Sequence, residues 1–154
     1  QIPLRPSPNL PNAQSIALYP SLCLLEPTVI SVGRGTEMQF QVYGHPQLTQ
    51  TDFSFVPQPN YGAKNPKLKD QVCNGTDLRK FQRPQKIQLQ WLIQAYNDFP
   101  DKKNFFKKGF FRIAGNKELQ QQLAKGWDEK QIRKTWENDL NNFKKIRKKY
   151  LIYP

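Results

Sequence analysis

The sequence predicts an α+β domain with its strands first and its helices after, on three observations. Residues 38–43 and 52–56 alternate apolar and polar side chains, the period of a half-buried strand. From Pro84 onward the apolar residues recur at steps of three and four, the period of helices. The two patterns are segregated along the chain, with no alternation of strand and helix and no internal repeat. The expectation is a small irregular β-sheet region in the first half, and helices at about 84–99, 116–125 and 128–150 in the second.

In chain order, Pro3, Pro6, Pro8 and Pro11 forbid regular helix or central strand. Residues 1–12 therefore read as a Pro-rich connector running over a surface, and residues 13–154 as one domain. Residues 13–25 open as a helix capped by Asn12, with Pro20 forcing a turn or kink. A short β-rich piece (Val29, Ile30, Val32) leads into the tight Gly33-Arg34-Gly35-Thr36. The tract 57–70 is loop, and 71–78 is a short strand that ends at the Asn74-Gly75 turn signal.

Pro84 suits a first helical position, Ile87, Trp91, Leu92, Ala95, Tyr96 and Phe99 follow at helical spacing, and Pro100 closes the run. Phe105, Phe106, Phe110, Phe111 and Ile113 form a second aromatic cluster. Asn116 can cap a helix carrying Leu119 and Leu123, with Gly126 at its end. In the last helix Asp128 and Gln131 make a capping box, flanked by Trp127 and Ile132 as a hydrophobic staple. Ile132, Trp136, Leu140, Phe143, Ile146 and Tyr150 form one apolar stripe.

The chain has 154 residues, enough for one real core. Its formal charge is +12, of which residues 101–154 carry +9. A basic third can mean nucleic acid or an anionic surface. Here acids stand at the start of the last helix and lysines at its end, which complements the helix dipole and gives the run a structural reason. No nucleic acid is expected as a partner. No stretch approaches the roughly 18 apolar residues of a membrane span. With one His and two Cys, no metal pattern forms, and whether Cys23 and Cys73 meet stays open. The first residue is not Met, and the chain reads as a piece of something larger.

Little in the chain suits catalysis. His45 has no Gly-x-Ser-x-Gly elbow to serve and reads as a loop histidine. A glycosidase needs two carboxylates about the scissile bond, and Glu26 is the only acid within an apolar, Pro-bounded segment. The most unusual spot is the turn at Gly33, Arg34, Gly35 and Thr36. Glycines around one Arg let backbone approach a ligand while a guanidinium offers its fork to a carboxylate or phosphate. The alternative is a tight turn whose Arg pairs with Glu26 or Glu37. The tract with Tyr61, Lys64 and Asn65 can line a sugar or peptide site, or be plain surface loop. Asn74-Gly75-Thr76 fits a glycosylation sequon.

Several strings taken together resemble a known family. Ser7-Pro8-Asn9-Leu10-Pro11-Asn12, then Leu18-Tyr19-Pro20 with Cys23 and Glu26, then Ser31-Val32-Gly33-Arg34-Gly35-Thr36, are similar to the NamZ-type exo-β-N-acetylmuramidases. These bacterial enzymes were long catalogued as a domain of unknown function. The likeness continues through Phe55, Pro57, Gly62-Ala63-Lys64-Asn65-Pro66-Lys67, Phe111, Ala114, Gly115, Trp136 and Lys149-Tyr150-Leu151, in an Asn/Gln/Lys-rich style that looks Bacteroidetes-like.

The resemblance implies a cell-wall glycosidase that removes terminal N-acetylmuramic acid from peptidoglycan fragments in the cell envelope, periplasmic or secreted. It implies a Rossmann-like first domain that carries the catalytic glutamates and lies ahead of Gln1, so no catalytic residue is expected in this chain. Its partners would be that domain and MurNAc-GlcNAc fragments, with no cofactor and no metal. Cleft candidates are Glu26, Gly33, Arg34, Gly35, Thr36, Tyr61, Lys64 and Asn65, with Arg34 reading the lactyl carboxylate. The alternative is a stand-alone binding module for acidic wall glycans or muropeptides.

Overall fold

The computed structural model describes residues 6–49, 51 and 53–153. The start of the Pro-rich connector (1–5) and Asp52, expected at the head of a strand, lie outside the described residues. Residues 6–12 lie against the domain, half-buried to exposed. Leu10 packs on the core, and Asn9 Nδ2 donates to the Gly62 carbonyl at 2.8 Å.

Helix α1 (Ala13–Leu22) starts at Asn12, whose side chain accepts from the Ser15 amide while Ser15 answers the Asn12 amide. That reciprocal cap is worth about 1 kcal/mol. Pro20 does not end α1: it removes one amide donor from the helix, which still runs on to Leu22 and tightens into a 3-10 turn at Cys23–Leu25.

The sheet has three antiparallel strands, β1 (Val42–His45), β2 (Phe53–Phe55) and β3 (Cys73–Asp77), in the order β1-β3-β2. Two expectations shift here. Residues 38–43 are not one strand: the chain turns at Phe40, whose φ is +53°, the Gln41 amide closes on the Met38 carbonyl, and pairing begins at Val42. Asn74-Gly75 is not a turn either. It lies inside the central strand, with Gly75 opposite Gly44 on one side and Phe53 on the other. The β-rich piece at 28–32 forms only isolated bridges, Thr28 to Phe106 and Ser31 to Gly44.

The helical half follows the sequence more closely at its end than at its start. Helix α2 (Gln90–Asp98) is shorter than the expected 84–99. The segment before it is fixed by tertiary bonds instead, since the Gln88 amide donates to Ser21 Oγ and Arg133 reaches the Ile87 carbonyl. Lys102, in the 3-10 turn Lys102–Asn104, donates to the carbonyls of Tyr96, Asn97 and Phe99 and so closes the C-terminal end of α2.

Next come α3 (Phe110–Ala114) and α4 (Glu118–Ala124), with Asn116 Oδ1 accepting from the Leu119 amide as expected of a cap. Last is α5 (Glu129–Lys148), which starts on the Asp128–Gln131 capping box. The main core joins α1, α2, α4 and the root of α5 around Leu18, Leu22, Leu92, Phe105, Leu119 and Ile132. Tyr96, Phe105, Phe106 and Phe110 stack edge and face within it. A smaller cluster of Val42, Phe55 and Cys73 lies on the sheet.

Candidate functional site

The turn at Arg34 is built by its glycines. Gly33 and Gly35 have φ of +76° and +83°, which L side chains rarely adopt. A Cβ on Gly35 would also stand 2.6 Å from both the Gln58 carbonyl and the Pro66 ring. Thr36 locks the turn: its Oγ1 donates to the Gly33 carbonyl at 2.7 Å and accepts from the Met38 amide at 2.9 Å.

Arg34 is thereby held against two neighbours. Its Nε donates to Glu26 Oε1 at 2.7 Å, and its guanidinium carbon lies 4.9 Å from the centre of the Phe40 ring. The sequence left Glu26 or Glu37 as possible partners, and Glu26 is the one used. The Arg34 side chain is 35% exposed, and among the described residues neither terminal nitrogen has a hydrogen bond. The fork is anchored through Nε, and a guanidinium held this way has the donor geometry to bind a carboxylate or phosphate at its terminal nitrogens.

The loop with Tyr61 is laced to this turn. The Gln58 amide donates to the Gly35 carbonyl at 2.7 Å, and Asn60 Nδ2 donates to the Thr36 carbonyl at 3.3 Å. Tyr61 is 92% exposed and borders a hollow of about 370 Å³ with Pro8, Glu37, Gln39, Asn60 and Gly62. Lys64 and Asn65 are exposed, with no side-chain bond or ion pair among the described residues. The structure thus pairs Glu26 with Arg34 and locks their turn through Thr36, while the lining of the hollow beside Tyr61 does not include Glu26, Arg34, Lys64 or Asn65.

Sequence reasoning passed over Lys67 and Phe40. Lys67 Nζ donates to the carbonyls of Glu26, Thr28 and Ile30 at 3.0, 2.7 and 2.8 Å. One ammonium thus gathers the segment that carries Glu26. Burial, helped by the charges of Lys107 and Arg34 against that of Glu26, pulls its pKa from 10.5 down to about 8. No local pattern marks it, since its partners lie about 40 residues earlier.

Replacing Lys67 with Met is expected to cost about 3 kcal/mol, read as a lower urea midpoint, because three carbonyls lose a charged donor. The pH dependence follows from the lowered pKa. Between about pH 8 and 10.5 the unfolded chain binds more protons here than the folded one, so this group adds to stability as pH rises. The stability difference between wild type and Lys67→Met should grow over that window; a flat difference would show that Lys67 titrates normally.

The other sequence candidates are quieter. His45 lies in β1, not in a loop, with its ring edge-on to Phe99 and Nδ1 accepting from the Gln47 amide. Burial lowers its pKa, with Lys67 adding to the effect. Cys23 and Cys73 are separate free thiols, and burial pushes the Cys73 thiol up to about 11. The sequon at Asn74 sits in a strand, and its amide nitrogen is spent on the Pro46 and Leu48 carbonyls. Among the described residues no three His, Cys, Asp or Glu side chains group to hold a metal, and no helix is long and apolar enough to cross a membrane.

The peptidoglycan β-N-acetylmuramidase NamZ of Bacillus subtilis (strain 168) is 32% identical over 96% of this chain, which covers 40% of that protein. A DUF1343 family protein of Bacteroides fragilis NCTC 9343 superposes over 98% of the chain with a TM-score of 0.93 and 39% identity, covering 44% of its own length. A second DUF1343 protein of that organism shares the fold, with a TM-score of 0.69 at 19% identity. The chain therefore spans less than half the length of each of these relatives. Residues 17–153 match the family described as exo-beta-N-acetylmuramidase NamZ, C-terminal, and the chain belongs to that family.

Proposed function

We propose that this chain is the C-terminal part of a peptidoglycan-degrading exo-β-N-acetylmuramidase of the cell envelope, and that it forms one wall of the substrate cleft. The proton-handling carboxylates belong to a Rossmann-like domain outside the chain. The reading rests on the family membership and on one observation, the Arg34 fork anchored through Nε with no hydrogen bond at its terminal nitrogens among the described residues. N-acetylmuramic acid differs from N-acetylglucosamine by a lactyl carboxylate, and a planar guanidinium pairs with a carboxylate through two parallel hydrogen bonds. Glu26 is spent holding Arg34, so it is a positioning residue and not the general acid. Tyr61, with a nearly bare ring, can stack on a sugar face beside the turn. No cofactor enters this reading.

Turnover of a chromogenic muramic-acid glycoside tests it. The 154-residue chain alone should release no product above buffer, and the intact polypeptide from the same gene should release it. Hydrolysis by the chain alone would overturn the reading. Tight, salt-sensitive muropeptide binding by the chain, with an inactive intact polypeptide, would favour a binding module instead.

A further inference from the structure

The apolar stripe of α5 is continuous in sequence but not in burial. Ile132 is fully buried and Trp136 packs against the core. Beyond them every residue from Glu137 to Tyr153 is exposed. Leu140, Phe143 and Ile146 are 47%, 58% and 55% exposed, and Tyr150 is 78% exposed. Leu140, Phe143 and Ile146 step by three along α5 and span about 9 Å of its axis, and Tyr150 stands two residues past the helix end. A helix of this length gains most of its stability from packing its apolar face, not from intrinsic propensity. An apolar face of this kind, bordered by lysines, marks an interaction surface. The arm also belongs to the shared fold, since the Bacteroides fragilis relative superposes on 98% of the chain.

We propose that Leu140, Phe143, Ile146 and Tyr150 are the surface on which the N-terminal domain of the parent polypeptide docks. This rests on the reading of the chain as part of a longer muramidase. More than half of each relative's length lies outside the matched region, so a body large enough to cover the arm is at hand. A second copy of this chain fits less well. Each copy carries a formal +12, and the stripe is flanked by Lys144, Lys145, Arg147, Lys148 and Lys149. Pairing two such arms would set like charges together. The covering surface is then an apolar groove with an acidic rim.

Hydrogen exchange of the wild-type intact polypeptide and of the 154-residue chain tests this. Amides 140–148 should exchange at least about 100-fold more slowly in the intact polypeptide, and a Phe143→Asp/Ile146→Asp variant of it should lose that protection. Equal exchange in the two wild-type proteins overturns the docking, whatever the muramidase activity. Protection without hydrolysis leaves the docking standing and removes the muramidase reading. A gene that encodes this chain alone, or a dimer of the chain in sedimentation equilibrium that Phe143→Asp dissolves, also overturns it.

Discussion

Replacing Arg34 with alanine in the intact polypeptide is expected to lower kcat/KM on a muramyl glycoside by about 10- to 100-fold. The size follows from losing a hydrogen-bonded charge pair with a carboxylate, about 1.5–3 kcal/mol. A glucosaminyl substrate without the lactyl group should lose no more than about threefold, because it never meets the fork. Arg34→Lys keeps the charge but loses both the planar fork and the Nε anchor on Glu26, so it should recover little. Glu26→Gln is the informative companion. It leaves Arg34 in place but removes the charge that holds it, so KM should rise with kcat nearly kept. Equal losses on both substrates in Arg34→Ala would end the proposed role of the turn as a carboxylate reader.

What the sequence revealed, and what it hid, divides along local and nonlocal physics. The α5 start was legible because a capping box and a staple are decided within five residues. Asn12 and Asn116 were legible as caps for the same reason. The start of α2 was not, because Gln88 is held by Ser21, 67 residues earlier, and a proline at 84 cannot announce that. Phe40 looked like the middle of a strand. Its left-handed backbone is set instead by bonding its amide to the Val32 carbonyl and by seating its ring between Arg34 and Tyr19.

The site divides in the same way. A Gly-flanked Arg with a Glu eight residues before it can be seen in the chain, and the pair forms. Lys67 cannot be seen, because a lysine that gathers three buried carbonyls looks in sequence like any loop lysine. The stripe on α5 was legible as amphipathic, yet periodicity says only which face wants burial, not whether this chain supplies the cover.

The Asn74-Gly75 pair carries the largest expected effect on stability, because local turn chemistry and strand geometry disagree there and the strand wins. Gly75 sits in the middle strand with a neighbour on each side, Gly44 and Phe53. A Cβ at Gly75 would stand 1.9 Å from the Tyr43 carbonyl oxygen and 2.7 Å from the Gly44 Cα. Both are backbone atoms of β1, so no rotamer change relieves the clash; the strands must part. Tyr43 is rooted in the main core and Val42 in the smaller cluster, so parting β1 from β3 strains both.

Gly75→Ala should therefore cost about 3 kcal/mol or more, and lower the melting temperature by roughly 10 °C. Gly44→Ala should act in the same direction, since its Cβ would meet the Asn74 carbonyl at 2.5 Å. Gly115→Ala provides the contrast. Its φ is +83° but nothing lies within 4 Å of the added atom, so only the backbone cost of about 1–2 kcal/mol applies. If Gly75→Ala melted within about 2 °C of the wild type while Gly115→Ala did not, the central position and register of β3 would be wrong. The turn chemistry of Asn-Gly would then have been the better guide.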